Sequence, residues 1–203
     1  MLTLFHAPRS RSFRMLWLLE ELAAPFEVKI VSIRRGDGTG AADPANPHPH
    51  GKVPALKDDG TLIFETPAIA LYLTDKFPNA GLGPKIGDAD RGAYLSWLAY
   101  YTGVIEPSLT AKFLKIQHIY GTFGWAPFDD VIAYLTQELS RREFLLGERF
   151  SAADIVIGGS LPLLMGRGIV PEAEVFKAYT GRLTARPAFV RAQAKDNGYG
   201  GPH

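Results

Sequence analysis

The chain has 203 residues, 46% hydrophobic and 21% charged, with 22 Lys and Arg against 21 Asp and Glu for a formal net charge of +1. That balance supplies a sizeable core, excludes a disordered chain, and leaves no field strong enough to favour nucleic acid or an anionic membrane surface. Cysteine is absent, which removes disulfides, thiolate metal sites and cysteine nucleophiles, so any sulfur chemistry needs a borrowed thiol.

Met1-Leu-Thr-Leu-Phe5 lacks a basic leader, and no apolar run reaches the roughly 18 residues of a membrane span, so a cytoplasmic protein is expected. Leu2 and Leu4 alternate with Thr3 in a short strand that ends at Ala7-Pro8, and Met15, Leu18, Leu19 and Leu22 then recur at helical spacing. Phe26, Val28 and Ile30 alternate again before a loop crowded with Gly, Pro and Asp from Arg34 to His50. Asp58-Asp59-Gly60 separates two short apolar runs, Val53–Leu56 and Leu62–Phe64, and predicts a hairpin. Thr66 then offers an N-cap and Pro67 suits the first helical position. The order β-α-β, loop, β-β-α fits a small mixed sheet covered by helices.

The Pro- and Gly-rich stretch Pro78–Lys85 reads as a linker. Beyond it Tyr94, Trp97, Leu98, Tyr101 and Ile105 form one helical stripe and Phe128, Val131, Ile132, Leu135 and Leu139 another. Ser151-Ala-Ala-Asp154, with Phe150 and Ile155 placed as a hydrophobic staple, predicts a capped helix start. The expected organisation is therefore a first domain over 1–78, a linker over 79–88, an all-helical domain over 89–194 and a loose tail over 195–203, where apolar residues are sparse.

Several positions carry chemistry. Ser10 and Ser12 lie between the first strand and first helix, where helix amides and the dipole favour an anion, a thiolate included, although spacing alone favours plain capping. Glu65-Thr66, at a second helix start, is suited to an amino-acid zwitterion, the Thr66 amide and hydroxyl meeting its carboxylate and Glu65 its ammonium, with a capped helix again the commoner reading. Lys52-Val53-Pro54 combines a cation, an extended residue and a proline, and so offers Val53 backbone to a peptide-like ligand. Of five histidines only His48 and His50 are close, without acidic or thiol partners, so no metal site is expected. His6 borders the first strand, where a lone histidine is usually a packed residue.

Together the segments Phe5-His-Ala-Pro-Arg-Ser-Arg-Ser-Phe-Arg14, Gly51-Lys-Val-Pro-Ala-Leu56, Glu65-Thr-Pro-Ala-Ile-Ala-Leu-Tyr-Leu73 and Phe144-Leu-Leu-Gly-Glu-Arg-Phe-Ser-Ala-Ala-Asp154 resemble the soluble glutathione transferases. The match is to a serine-type, theta- or beta-like bacterial member, since cysteine is absent and Phe5 stands near the position where tyrosine types carry their hydroxyl. The resemblance implies an α/β thioredoxin-like domain followed by an all-α domain, usually in a homodimer, with glutathione as co-substrate and no metal. It implies Ser10 as the catalytic residue, aligned through Arg14, with Ser12 in reserve. It implies a cis bond before Pro54, Val53 paired with the cysteinyl unit, Glu65 and Thr66 on the γ-glutamyl end, and Lys52 on the glycyl carboxylate. Pro67 stands where a residue with an amide would be, so one carboxylate donor is missing. A hydrophobic electrophile is expected against residues of the helical half, with Tyr100, Tyr101, Phe113 and His118 as candidates. The implied function is detoxifying transfer of glutathione to that electrophile; the alternatives are a glutathione-dependent peroxidase or lyase, or a non-catalytic carrier of glutathione or a hydrophobic ligand.

Overall fold

Leu2, Leu4, Phe5 and His6 are all buried, so the first strand, β1 (Leu2–His6), is covered on both faces and belongs at the centre of a sheet. In the computed structural model, which describes residues 1–200, it does lie there. The strand order is β2-β1-β3-β4, with β2 (Phe26–Ile30) parallel to β1 and β3 (Ala55–Asp58) and β4 (Thr61–Phe64) antiparallel. The parallel pair needs a crossover, supplied by α1 (Phe13–Glu21). The expected hairpin closes at Asp59 and Gly60, both at positive φ (45° and 91°), the combination that matches the twist of paired strands. α2 (Thr66–Lys76) follows, but Glu65 rather than Thr66 is its N-cap and Pro67 is its second residue. This four-stranded sheet with its helices is a thioredoxin-like fold.

Five consecutive residues of α1, Met15, Leu16, Trp17, Leu18 and Leu19, are each fully buried, so the middle of the helix is covered all round. A helix covered on one side by a sheet needs a second partner, and α9 (Pro187–Tyr199) provides it. Phe189 meets Phe13 and Trp17 edge-on at 5.5 and 5.1 Å between ring centroids. Arg186 grips Glu21 with two nitrogens at 2.6 and 2.8 Å, and Arg191 and Lys195 bond Glu20 at 2.9 and 2.5 Å. Burial opposes the Glu20 charge, yet those two cations outweigh it and hold the carboxyl below its ordinary range.

The chain accordingly divides into a unit of Met1–Ala80 completed by the residues from Thr184 onward, and a unit of Gly81–Leu183. This departs from an all-helical domain running through 194. It also corrects the loose tail: Lys195 to Tyr199 are helical, because Lys195 and Asp196 each find a partner in the first unit. Residues 201–203 of that expected tail lie outside the described residues.

In the second unit α3 (Arg91–Tyr100) runs through a π-helical stretch at Tyr101–Ile105 into α4 (Glu106–Phe113), and α5 (Phe128–Arg141) carries the second stripe. α6 (Ala152–Gly158), α7 (Leu161–Gly166) and α8 (Glu174–Thr184) complete it. The capping box forms: Ser151 Oγ accepts from the Ala153 amide at 3.3 Å and Asp154 Oδ2 from the Ser151 amide at 2.8 Å. The other Asp154 oxygen accepts from the Leu145 amide at 2.9 Å and the Tyr179 hydroxyl at 2.8 Å. Burial pushes the Asp154 carboxyl up to about 6 against these donors, which occupy lone pairs of both its oxygens.

Candidate functional site

Strand register gathers the candidate residues of the first unit. Phe5 pairs with Ala55, and Ala55 with Phe64, so the exit of β1, the start of β3 and the exit of β4 share one end of the sheet. The Ala7–Ser12 turn, Val53-Pro54 and Glu65-Thr66 therefore leave the sheet side by side, although 59 positions separate Ala7 from Thr66. The Val53-Pro54 bond is cis.

Positive-φ backbone occurs in the turn before α1 and at the N-cap of α2. Arg9 (φ 56°) immediately precedes Ser10 and Glu65 (φ 71°) precedes Thr66. Such geometry costs a non-glycine residue on the order of 1 kcal/mol or more and persists where the surroundings enforce it, commonly at functional sites.

Ser10 is partly exposed, and its Oγ donates to the Ala7 carbonyl at 2.6 Å, lies 2.8 Å from Ser12 Oγ and accepts from the Ser12 amide at 3.2 Å. Ser12 is fully buried. Its Oγ sits 2.8 Å from His6 Nδ1 and accepts from the Ala7 amide at 3.2 Å. Neither serine caps α1 with its side chain, and the amides of Phe13, Arg14 and Met15 turn back onto the carbonyls of Ser10, Arg11 and Ser12. This turn thus spends amides that the sequence reading left for an anion, and of its two serine hydroxyls only that of Ser10 is partly exposed.

Behind the serines, His6 is fully buried, and its Nε2 approaches Asp196 Oδ1 of α9 at 2.9 Å, an ion-pair distance without hydrogen-bond alignment. Asp196 also accepts from the Arg9 amide, at 3.1 Å to Oδ2 and 3.3 Å to Oδ1. The sequence reading missed Asp196, placing it in a tail, and took His6 as a packed residue.

At the other helix start, the first turn of α2 leaves the amides of Thr66 and Ala68 without intrahelical partners, while Pro67 has none to offer. Thr66 is buried and the Glu65 side chain is mostly exposed. His48, also unassigned from sequence, is buried against Phe64 at 5.5 Å and its Nδ1 accepts from the His50 amide at 3.1 Å, which leaves Nε2 protonated and 4.0 Å from Glu65. Burial, only partly offset by Glu65, holds its pKa below the ordinary histidine value. The amide of His48 bonds Asn46 Oδ1 at 3.0 Å, and Asn46 Nδ2 donates to the Lys52 carbonyl at 3.0 Å, so this chain fixes the loop that presents exposed Lys52. Among the described residues no group of three or more side chains suited to a metal ion occurs.

The four candidates of the second unit have different surroundings. Tyr101 is buried and its hydroxyl donates to Glu106. Tyr100 is half-buried against Trp97 and Tyr134, at 5.8 and 5.6 Å, and burial raises its hydroxyl pKa. Phe113 is 75% exposed, and His118 Nε2 lies 2.7 Å from the Trp125 carbonyl. An open, mostly apolar concavity of about 340 Å³ is lined by Thr102, Glu106, Pro107, Ala111, Ile116 and Trp125 among others, and by none of the four. It adjoins the π-helical stretch, a feature that recurs at functional sites.

A four-stranded thioredoxin-like sheet followed by a helical unit defines the class of architecture, and comparison with known proteins gives its family. Residues 1–75 match the family model "Glutathione S-transferase, N-terminal domain". Glutathione S-transferase 3 of Schizosaccharomyces pombe is 27% identical over 172 residues, covering 76% of this chain and 70% of that protein. A sphingomonad glutathione S-transferase solved in complex with glutathione is 30% identical, with a TM-score of 0.76 over 96% of this chain and 98% of that one. A glutathione transferase of Methylococcus capsulatus superposes with a TM-score of 0.78 at 26% identity over 97% and 99% of the two chains. The chain belongs to the glutathione S-transferase family.

Proposed function

We propose that this protein is a glutathione transferase in which Ser10 donates a hydrogen bond to the glutathione sulfur, and the stabilised thiolate attacks an electrophilic carbon of a hydrophobic substrate. The observation that carries the reading is the partly exposed Ser10 hydroxyl, with buried Ser12 directly behind it, at the sheet end that also collects Val53 and Glu65-Thr66. The burial of Ser12 supports Ser10 as the residue that meets the thiolate.

The remaining groups divide the tripeptide by charge. The amide and hydroxyl of Thr66 take the γ-glutamyl carboxylate at a positive helix start, Glu65 takes its ammonium, the Val53 backbone pairs with the cysteinyl unit, and Lys52 meets the glycyl carboxylate. In the second unit Tyr100 and Phe113 have apolar surface for the electrophile, whereas Tyr101 is committed to Glu106. We further propose that the protein acts in the cytoplasm, in detoxification, as a homodimer, as the family resemblance implies. No helix among the described residues is long and apolar enough to cross a membrane.

The test is a conjugation assay over aryl halides and epoxides with a parallel glutathione titration by calorimetry. Ser10→Ala should cut kcat by about 10- to 100-fold while leaving glutathione affinity within about threefold, since it removes an interaction concentrated on the anionic sulfur. Unchanged turnover would move the role away from Ser10, and binding without any turnover would favour a carrier.

A further inference from the structure

Resting on the placement of Ser10 at the sulfur, we infer that Ser12, His6 and Asp196 form a buried relay that takes the thiol proton of glutathione away from the site. Forming a thiolate leaves a proton to be disposed of, and a serine hydroxyl cannot hold it. The observed chain can. Ser10 Oγ is 2.8 Å from Ser12 Oγ, Ser12 Oγ is 2.8 Å from His6 Nδ1, and His6 Nε2 is 2.9 Å from Asp196 Oδ1.

The partners decide which atoms carry hydrogens. The negative charge of Asp196, 2.9 Å from Nε2 though not aligned for a hydrogen bond, favours the tautomer with its proton on Nε2 and leaves Nδ1 of the neutral ring as the acceptor. Ser12 then donates to Nδ1. The single Ser10 hydrogen has two acceptors in range, the Ala7 carbonyl at 2.6 Å and Ser12 Oγ at 2.8 Å. Turned toward Ser12, it completes an unbroken path from the sulfur to the imidazole.

The transfer balances without any co-reactant. The S–H bond breaks and its proton goes to Ser10 Oγ, the Ser10 proton goes to Ser12 Oγ, and the Ser12 proton goes to His6 Nδ1. The products are a thiolate, two neutral serines and an imidazolium whose charge faces the Asp196 carboxylate. After conjugation the proton returns along the same path to the leaving group or to water.

The surroundings of His6 suit this task. Asp196 and Tyr199 face it from α9, the Tyr199 ring at 5.8 Å, and Ser12 faces it from the turn. Lys195 is turned to Glu20, while Lys29 of β2 and Lys57 of β3 lie over the Phe5 ring, so these cations are directed elsewhere. A buried polar ring with one carboxylate and one hydroxyl is a costly way to fill a core and a sensible way to hold a proton.

The test titrates the ultraviolet absorbance of enzyme-bound glutathione thiolate against pH, beside kcat and KM, for the wild type and four variants. His6→Gln, Ser12→Ala and Asp196→Asn should each raise the thiolate midpoint by about 1 pH unit or more and lower kcat/KM at neutral pH by about 10- to 100-fold. A purely structural role would raise KM for glutathione and leave the midpoint in place. If His6→Gln does not fold, Asp196→Asn and Ser12→Ala decide the matter. An unmoved midpoint in these variants, with Ser10→Ala raising it, overturns the relay and keeps Ser10 at the sulfur. An unmoved midpoint in Ser10→Ala overturns the placement of Ser10 itself.

Discussion

The carboxylate of Asp196 accepts a hydrogen bond from the backbone amide of Arg9 at 3.1 Å, joining positions 187 residues apart. Arg9 is left-handed, and this contact ties its backbone to α9, so it stabilises the turn that carries Ser10. The last helix is thus part of the wall behind the candidate site.

That relationship makes the final turns of α9 testable. Ending the chain after Ala194 removes the Glu20–Lys195 pair and both contacts of Asp196. The loss of these charge-assisted bonds should cost about 2–4 kcal/mol and lower the melting temperature by several degrees, with weaker glutathione-dependent turnover. Calorimetric melts and the conjugation assay check this; a loose tail would give neither effect.

Glu20 supplies a pH dependence. Its carboxyl is held below the ordinary range by Lys195 and Arg191 despite burial. A depressed carboxyl pKa contributes stability above the unfolded value, near 4.3, and that contribution is lost as pH falls through the folded value. Glu20→Gln should therefore destabilise the protein by about 1–2 kcal/mol at pH 7, since both cations are half exposed, and by progressively less below about pH 4. Urea melts at a series of pH values would show the two curves converging in acid.

Gly158 tests packing in the second unit. A Cβ at this position would stand 2.3 Å from Leu183 Cδ1 and 2.8 Å from Tyr179 Cε1. Leu183 is buried, and Tyr179 is fully buried with its hydroxyl bound to Asp154, so neither has room to withdraw. Gly158→Ala is expected to lose about 1–3 kcal/mol, overriding the helical preference of alanine. Denaturant melts measure it, and a stabilised variant would contradict this packing.

Lys52 separates binding from chemistry. Because it is exposed and would meet a carboxylate remote from the sulfur, Lys52→Ala should raise KM for glutathione by about 3- to 10-fold and leave kcat nearly constant. A fall in kcat with unchanged KM would remove Lys52 from the glycyl carboxylate.

How much of this was legible from the amino acids depends on how local the signal is. The β1-α1-β2 order, the Asp59-Gly60 hairpin and the Ser151-Asp154 capping box each depend on residues within a few positions of one another, and each forms. Helix α9 was cut short because Lys195, Asp196 and Asn197 look like a polar tail until Glu20 and Arg9 are known to lie opposite. The π-helical stretch left no mark, since Tyr101 and Ile105 keep an ordinary helical stripe through it. Among the candidate site residues, Ser10, Val53 and Thr66 are singled out by motifs, whereas the packed-histidine reading of His6 could not anticipate an acidic partner 190 positions away. No periodicity connects residue 6 with residue 196.

The Arg9–Asp196 bond also has a consequence for biosynthesis. Arg9 leaves the ribosome 187 residues before the carboxylate that braces its turn. The nascent sheet can fold early, but the Arg9 turn gains this brace only once Asp196 has emerged, so synthesis halted before that point would leave the turn without it.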